Sequence, residues 1–216
     1  MNAPRWDLYL VTDRDLARGR PLVEVVAAAL RGGTTVVQLR EKACETRAFM
    51  EEARQVLALT RAAGVPLIIN DRVDIALAVE ADGVHLGQSD MPYPDARRLL
   101  GPDRIIGLSV ESVADAQAAE AWDVQYLGVS PVYLTPTKTE LASALGLEGL
   151  RQIRSCSRHP LVAIGGMNAQ TVVGAIQAGA DGVAVVSALC SADDPAAAAR
   201  DLCQQIERAR HESPTS

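Results

Sequence analysis

The sequence predicts an α/β fold in which eight parallel strands, each followed by a helix, close into a (β/α)8 TIM barrel. Short apolar runs alternate with amphipathic stretches along the chain, as in a sheet covered by helices. The runs do not alternate with polar residues, which indicates strands buried on both faces. About eight such units fit within 216 residues, a count typical of a closed barrel. A doubly wound open sheet is the alternative, but no Gly-x-Gly-x-x-Gly motif follows the first run.

The individual elements follow from the apolar pattern in chain order. The apolar runs predict strands at Leu8–Val11, Thr35–Leu39, Pro66–Ile69, Gly83–Leu86, Ile105–Leu108, Val124–Gly128, Leu161–Ile164 and Gly182–Val185. The amphipathic stretches predict helices at Pro21–Arg31, Thr46–Ala62, Val73–Val79, Asp95–Leu100, Val113–Ala121, Leu147–Arg154, Ala169–Ala178 and Pro195–Arg210. The segments Glu80–Val84 and Gly179–Val183 are near copies of one helix-to-strand turn, which supports a repeated unit.

Composition and charge limit the class of protein. We expect one barrel domain over residues 1–216, with a frayed polar tail from about residue 211. The net charge of −6 disfavours a nucleic-acid surface, and no apolar stretch is long enough to span a membrane. No signal peptide is visible, and the four cysteines form no Cys-x-x-Cys pair. We therefore expect a cytoplasmic protein without disulfides.

Polar and charged residues stand at the end of the second predicted strand. Gln38, Arg40 and Lys42 occupy alternate positions, so their side chains should point toward one shared space. Two cations directed at one point repel each other unless an anion lies between them. A solvated strand end is the alternative. The pattern favours half of a phosphate or pyrophosphate site.

A second basic segment follows the sixth predicted strand. In Thr135-Pro136-Thr137-Lys138-Thr139, hydroxyls surround one lysine and the proline stiffens the loop. Hydroxyls bind phosphate oxygens, and lysine adds a point charge. A plain Thr/Pro surface turn is the alternative to an anion-binding loop.

Two aspartates follow neighbouring strands. Asp71 ends the third strand, and Asp90 lies just after the fourth. Because barrel enzymes bind ligands at the carboxyl ends of their strands, the two carboxylates should converge beside Arg40 and Lys42. Mg²⁺ takes oxygen ligands of this kind, together with substrate phosphate and water. A helix N-cap is the alternative role for each aspartate, and Asn70 can reach the same ligand through its amide.

Glycines and small residues mark the last two strand ends. Gly165-Gly166 precede the seventh helix, and Val186-Ser187 follow the eighth strand. Glycine lets the backbone approach an anion closely, so these two ends predict a barrel phosphate site. A plain tight turn is the alternative. His85, at the fourth strand end, is predicted to be a packed, hydrogen-bonded core histidine.

These motifs together resemble the thiamine-phosphate synthase family. They run in the family's order over nearly the whole chain, as Tyr9–Asp13, Gln38–Lys42, Asn70-Asp71, His85–Asp90, Gly107–Ser109, Thr135–Lys138, Ile164–Gly166 and Val185–Ser187. Each motif alone is weak, but eight in register are specific. The resemblance implies a transferase of thiamine biosynthesis. It would join 4-amino-2-methyl-5-(diphosphooxymethyl)pyrimidine to a thiazole phosphate, releasing pyrophosphate and forming thiamine phosphate.

The resemblance also assigns roles to residues. In the family, the pyrimidine pyrophosphate is bound by residues that match Gln38, Arg40, Lys42, Asn70 and Lys138. The residue matching Ser109 touches the pyrimidine, and the catalytic candidates are Arg40, Lys42, Lys138 and Ser109. Mg²⁺ is bound by the residues matching Asp71 and Asp90. The thiazole phosphate is bound by those matching Thr135, Thr137, Gly166, Val186 and Ser187, and the substrate-binding motifs also contain Leu39, Glu41 and Pro136.

Two other functions stay open at this point. One is a thiazole tautomerase on the same barrel, although such an enzyme does not need the full pyrophosphate and Mg²⁺ set present in this sequence. The other is a non-catalytic phosphate-binding barrel. The expected partners are small-molecule substrates, with no nucleic acid and no membrane. The sequence leaves open a homo-oligomer and a carboxylated thiazole substrate.

Overall fold

Every predicted apolar run forms a strand, and the eight strands close into one parallel barrel. The computed structural model describes residues 4–134 and 144–212. In chain order the strands are β1 (Leu8–Val11), β2 (Val36–Leu39), β3 (Leu67–Asn70), β4 (Gly83–Leu86), β5 (Ile105–Val110), β6 (Tyr126–Val129), β7 (Leu161–Ile164) and β8 (Gly182–Val185). Each strand pairs with its sequence neighbours, and β8 pairs with β1. The predicted (β/α)8 barrel is confirmed, and the open-sheet alternative is wrong.

Helices follow the strands and surround the barrel. Their bounds are α1 (Leu22–Arg31), α2 (Thr46–Ala63), α3 (Val73–Val79), α4 (Tyr93–Leu100), α5 (Val113–Ala119), α6 (Gly146–Cys156), α7 (Val172–Gln177), α8 (Ser187–Cys190) and α9 (Pro195–Glu212). Gly64 ends α2 with a φ of 66°, in the left-handed region that favours glycine. The last helix includes His211 and Glu212, so it continues past the expected start of the tail.

The main differences from the predicted helices lie after β7 and β8, whereas the bounds of other helices shift by at most two residues. We expected α7 to start at Ala169, but it starts at Val172. The residues before it form a side-chain-closed turn instead, in which the Asn168 N–H donates to Thr171 Oγ1 at 2.9 Å. The short helix α8 was not predicted at all, because four residues are too few to show a helical period. It begins at Ser187, directly after β8.

The barrel has two separate apolar layers. The larger layer lies between the strands and the helices and includes Val37 and Leu39 of β2. The smaller layer fills the barrel interior and includes Val36 of β2, Tyr9 of β1 and Tyr126 of β6. Residues of β2 therefore alternate between the two layers, as the strand pattern requires. This alternation directs the next inward positions, Gln38 and Arg40, to the carboxyl-terminal mouth.

Parallel pairing brings the carboxyl ends of all eight strands to one rim. Asn70 at the end of β3 is level with His85 of β4, and Ser109 of β5 is level with Gly128 of β6. The polar residues that were predicted from separate strand ends therefore meet at one mouth. Within residues 4–134 and 144–212, no helix is long and apolar enough to cross a membrane.

Candidate active site

A cavity of about 590 Å³ opens at the carboxyl-terminal mouth of the barrel. Its walls include seven of the residues predicted to bind substrate: Gln38, Arg40, Asn70, Ser109, Gly166, Val186 and Ser187. These residues come from β2, β3, β5 and the segments after β7 and β8. The mouth of a barrel is where ligand chemistry is expected, so the fold brings the predicted half-sites to one space.

The two cations after β2 each contact a carboxylate. The Arg40 guanidinium lies 3.4 Å from Asp13 Oδ2, and its backbone N–H donates to Thr12 Oγ1 at 3.0 Å. The Lys42 ammonium forms an ion pair with Asp71. Arg40 lines the cavity, whereas Lys42 is exposed to solvent. Each cation is thus balanced by a carboxylate, from the segment after β1 for Arg40 and from the segment after β3 for Lys42.

The two residues on either side of Arg40, Leu39 and Glu41, point away from the cavity. Leu39 is fully buried and belongs to the layer between the strands and the helices. Glu41 accepts a hydrogen bond of 2.6 Å from Arg14, which also contacts Glu52 of α2 at 2.7 Å. The structure therefore does not bring the side chains of Leu39 and Glu41 together with the other predicted substrate-binding groups.

Asp71 and Asp90 lie close to each other beside Lys42. Burial raises the pKa of the Asp90 carboxyl, and the neighbouring Asp71 carboxyl raises this pKa further. The N–H of Gly87 opposes the effect by donating to Asp90 Oδ2 at 2.7 Å. Two carboxylates held together in this way repel each other until a cation or a proton joins them.

The helix-cap alternative is wrong for both aspartates. The N-cap of α3 is Arg72 and that of α4 is Pro92, and neither helix start has a side-chain cap hydrogen bond. Asp71 instead adopts a φ of 61°, a left-handed conformation that non-glycine residues seldom occupy. Strain of this kind concentrates at functional positions because the surrounding structure must enforce it.

The chemistry of this carboxylate pair fits Mg²⁺. The described residues contain no cluster of three or more His, Cys, Asp or Glu side chains arranged to hold a metal. Mg²⁺ does not need such a cluster, because one or two carboxylates suffice when water and substrate phosphate complete its octahedral shell. Asp71 and Asp90, next to a cavity whose wall includes Arg40, match that requirement.

The opposite side of the mouth is formed by the segments after β7 and β8. Gly165 and Gly166 have φ values of 97° and 65°. A Cβ at Gly166 would lie 2.8 Å from the Cβ of Tyr133, which is shorter than real Cβ contacts. Gly166 is thus required by the close passage of the segment that follows β6, in addition to any phosphate contact. Ser187 is exposed at the start of α8 and faces the cavity.

The anion-binding loop predicted after β6 lies outside the described residues. This holds for Thr135, Pro136, Thr137 and Lys138, whose positions stay a prediction. The residues just before them, Tyr133 and Leu134, line the cavity, and Leu134 is 71% exposed there.

A hydrogen-bonded series of five side chains crosses the barrel interior, and we name it the tyrosine relay. Gln38 Nε2 donates to the Tyr9 hydroxyl at 2.9 Å, and the Tyr9 and Tyr126 hydroxyl oxygens are 2.7 Å apart. The Tyr126 hydroxyl lies 2.8 Å from His85 Nδ1, and His85 Nε2 lies 2.9 Å from Ser109 Oγ. All five side chains line the cavity.

The relay corrects part of the sequence interpretation. His85 is hydrogen-bonded as predicted, but it is half-buried and lines the cavity instead of lying in the core. Tyr9 and Tyr126 were missed, although both are only 1% exposed and sit inside the barrel. The available signal was compositional: aromatic residues make up only 3% of the chain, yet two tyrosines fall within its strands.

Gly107 makes room for the relay, and its replacement by alanine should reduce stability. A Cβ at Gly107 would overlap the ring of Tyr126, so we expect Gly107→Ala to lower the free energy of unfolding by about 1–3 kcal/mol. The measurement is urea denaturation. Gly174→Ala is the control, because its methyl would meet only the end of Leu147 at 3.2 Å. Wild-type stability of Gly107→Ala would mean that the Tyr126 ring is not locked in place.

Comparison with known proteins identifies the family of this chain. The "Thiamine monophosphate synthase" family matches residues 8–189. A thiamine-phosphate synthase of Moorella thermoacetica is 51% identical over 207 residues, covering 96% of this chain and 99% of the relative. One from Albidiferax ferrireducens is 55% identical over 200 residues, covering 93% and 91%. The structure of thiamine phosphate pyrophosphorylase from Pyrococcus furiosus superposes with a TM-score of 0.88 at 40% identity, covering 96% and 98%. The chain belongs to the thiamine monophosphate synthase family.

Proposed function

We propose that this chain condenses 4-amino-2-methyl-5-(diphosphooxymethyl)pyrimidine with a thiazole phosphate to give thiamine phosphate and pyrophosphate. The observation that supports this most directly is one cavity between two unlike rims. One rim has Arg40 in the cavity wall, with the contacting groups Lys42, Asp71 and Asp90 outside the lining, and the other has the glycines and serine after β7 and β8. A reaction between a pyrophosphate ester and a phosphate monoester needs two anion sites on either side of one space.

The pyrimidine pyrophosphate is assigned to the rim formed by β2 and β3. Gln38 and Asn70 are buried in the cavity, whereas Arg40 and Lys42 lie nearer the solvent. The ring therefore enters the cavity, and its charged pyrophosphate stays at the mouth, beside Arg40 and Lys42. Family resemblance adds Lys138 to this set of cations.

Asp71 and Asp90 are assigned to Mg²⁺. When bound, the ion supplies positive charge that stabilises the departing pyrophosphate. Arg40 and Lys42 supply charge to the same leaving group from protein atoms. Each of these cations contacts an aspartate, Arg40 with Asp13 and Lys42 with Asp71, which keeps both positive groups beside the proposed pyrophosphate position.

The thiazole phosphate is assigned to the rim formed by β7 and β8. Gly166 lines the cavity with a φ of 65°, and Val186 and Ser187 complete the wall beside it. Thr135 and Thr137 join this set by family resemblance. Backbone N–H groups and hydroxyls are the usual ligands of a phosphate monoester at such a position.

The proposed chemistry breaks one C–O bond and forms one C–N bond. Pyrophosphate leaves the exocyclic methylene with the electron pair of the C–O bond, and the aminopyrimidine ring delocalises the positive charge that develops on carbon. The thiazole nitrogen then forms the new bond with its lone pair, so no proton is transferred. The residues contribute positioning and electrostatic stabilisation rather than a general base.

The deciding experiment is synthesis of thiamine phosphate from the two substrates by the purified chain. We expect product and pyrophosphate in equal amounts, and only when Mg²⁺ is present. A thiazole tautomerase or a non-catalytic phosphate-binding barrel would form neither, so absence of both products would overturn the proposal. Testing thiazole phosphate with and without its carboxylate identifies the second substrate.

Cellular setting follows from the same proposal. Both substrates are small charged molecules, and the four cysteines are all free in the structure. We therefore assign the chain to the cytoplasm, where thiols stay reduced. The proposed partners are the two substrates and Mg²⁺, and a homo-oligomer is compatible with them.

Ser187→Ala should weaken the thiazole half of the site. Loss of one hydrogen bond to a charged phosphate predicts a rise of about tenfold in the KM for thiazole phosphate, with a smaller change in the KM for the pyrimidine substrate. Steady-state kinetics with each substrate varied in turn gives both values. Ser191→Ala is the matched control, since this serine does not line the cavity and donates to the backbone oxygen of Leu16 at 3.0 Å. Equal rises in both KM values would mean that the two half-sites are misassigned.

A further inference from the structure

The tyrosine relay links two cavity groups that are far apart in the sequence. Gln38 is at one end, on β2, and Ser109 is at the other, on β5. Tyr9, Tyr126 and His85 connect them across the interior through contacts of 2.7–2.9 Å. In such a continuous series, the choice of donor and acceptor in one hydrogen bond determines the donor and acceptor in the next.

Two glycines within the strands make room for the relay in the barrel interior. Barrel interiors are normally filled by branched aliphatic side chains, yet here buried hydroxyls occupy the centre. Two strand glycines permit this: a Cβ at Gly107 would overlap Tyr126, and one at Gly128 would lie 3.0 Å from His85 Cε1. Glycine weakens a strand, so its use here indicates that Tyr126 and His85 are needed where they are.

The number of available protons determines which group donates in each hydrogen bond of the relay. The Tyr9 hydroxyl accepts from Gln38, so its own proton goes to Tyr126. The Tyr126 proton then goes to His85 Nδ1, which leaves the ring hydrogen on Nε2 to donate to Ser109 Oγ. With the amide nitrogen of Gln38 facing Tyr9, as it does in the structure, the opposite direction would leave the Tyr9 proton without an acceptor among the contacts of the described residues. Burial also raises the pKa of both tyrosines, which keeps them protonated.

This direction fixes what the two ends offer to a ligand. Gln38 uses one N–H on Tyr9, so its carbonyl oxygen and its second N–H remain as an acceptor beside a donor. Ser109 accepts from His85, so its hydroxyl proton remains as a donor. A 4-aminopyrimidine has the complementary pattern, with a donor amine beside an acceptor ring nitrogen. A 4-oxopyrimidine has the reverse pattern.

We propose that Tyr9, Tyr126 and His85 are positioning residues that orient the Gln38 amide and the Ser109 hydroxyl, and so select an aminopyrimidine over an oxopyrimidine. The inference rests on the proposed function for the identity of the ring. Its effect is confined to ring recognition, because the pyrophosphate is held by other residues. The relay therefore controls specificity without touching the departing group.

Calorimetric titration with three probes tests the proposal. The probes are the 4-aminopyrimidine pyrophosphate, its 4-oxo analogue and inorganic pyrophosphate, each with Mg²⁺ and without thiazole phosphate, so that no turnover occurs. We expect the wild-type chain to prefer the amino compound by at least about 100-fold. Tyr126→Phe should lower that preference at least tenfold and change the affinity for inorganic pyrophosphate less than twofold.

Further variants separate positioning from a general loss of structure. The double variant Tyr9→Phe/Tyr126→Phe should lose no more selectivity than either single variant, because one substitution already interrupts the series of hydrogen bonds. His85→Gln keeps a polar group toward Ser109 and should retain more selectivity than His85→Leu. Tyr93→Phe is the matched control, because it removes a tyrosine hydroxyl that contacts Asp123 outside the cavity. It should leave the preference unchanged.

Each result decides the question. A wild-type preference in Tyr126→Phe and Tyr9→Phe, with both folded by their melting curves, overturns the relay but leaves the proposed function in place. Equal losses for all three probes also overturn it, because they would indicate a structural role. A wild-type chain that binds inorganic pyrophosphate without preferring the amino ring overturns the relay and the proposed substrate together.

Discussion

Arg40→Met lowers kcat by roughly 10²–10³, the scale seen when one preorganised stabilising group is lost. Arg40 lines the cavity, and its guanidinium is held by Asp13 before any ligand binds. Its charge interacts most strongly with pyrophosphate as the C–O bond breaks, so the loss appears in kcat more than in KM. Methionine keeps the length of the side chain, and the ion pair removed is long and partly exposed. Stability should therefore change little.

Arg72→Met is the matched control for this change. Arg72 also pairs with an aspartate, contacting Asp74 Oδ2 at 2.6 Å, but the pair lies on the outside at the start of α3. Its loss should leave kcat at the wild-type value. Steady-state kinetics and melting curves for both variants complete the measurement. A folded Arg40→Met enzyme with wild-type kcat would show that this cation has no part in stabilising the leaving group.

The strand pattern predicted which way the side chains point better than it predicted which residues they contact. Alternation along β2 correctly sent Gln38 and Arg40 toward the mouth, because the period of a strand is a local property. The same rule places Leu39 and Glu41 on the other face, where the structure has them. Alternation alone could not predict that Lys42 pairs with Asp71, because this contact depends on the conformations of the two segments that follow β2 and β3.

The tyrosine relay could not be predicted from any local sequence pattern. Its contacts join β1, β2, β4, β5 and β6, and two of them cross the interior between strands that are not neighbours. Such contacts depend on the diameter of the closed barrel and on the size of facing residues, Gly107 and Gly128 among them. The aspartates illustrate the same limit: sequence alone allowed a helix cap, and only the backbone of Asp71 and the actual helix starts excluded it.

The carboxylate pair should respond oppositely to mutation in metal-free and metal-containing buffer. Because burial and the Asp71 carboxyl raise the pKa of Asp90, the folded chain disfavours its negative charge. Asp90→Asn removes that charge, so its melting temperature in metal-free buffer should equal or exceed the wild-type value. With Mg²⁺, the wild-type melting temperature should rise, because the ion binds the folded state, and the variant should gain less.

Activity at limiting Mg²⁺ should fall on the order of 10²-fold in Asp71→Asn and Asp90→Asn, since asparagine keeps an oxygen but loses the charge that holds a hard cation. Raising the Mg²⁺ concentration should recover part of the activity, which a purely structural defect would not permit. Asp74→Asn is the control. Within the described part of the chain, the only side chain that hydrogen-bonds to Asp74 is that of Arg72, on the outside of the barrel. Wild-type Mg²⁺ dependence in both Asp71→Asn and Asp90→Asn, in activity and in melting temperature, would remove these aspartates from the metal site.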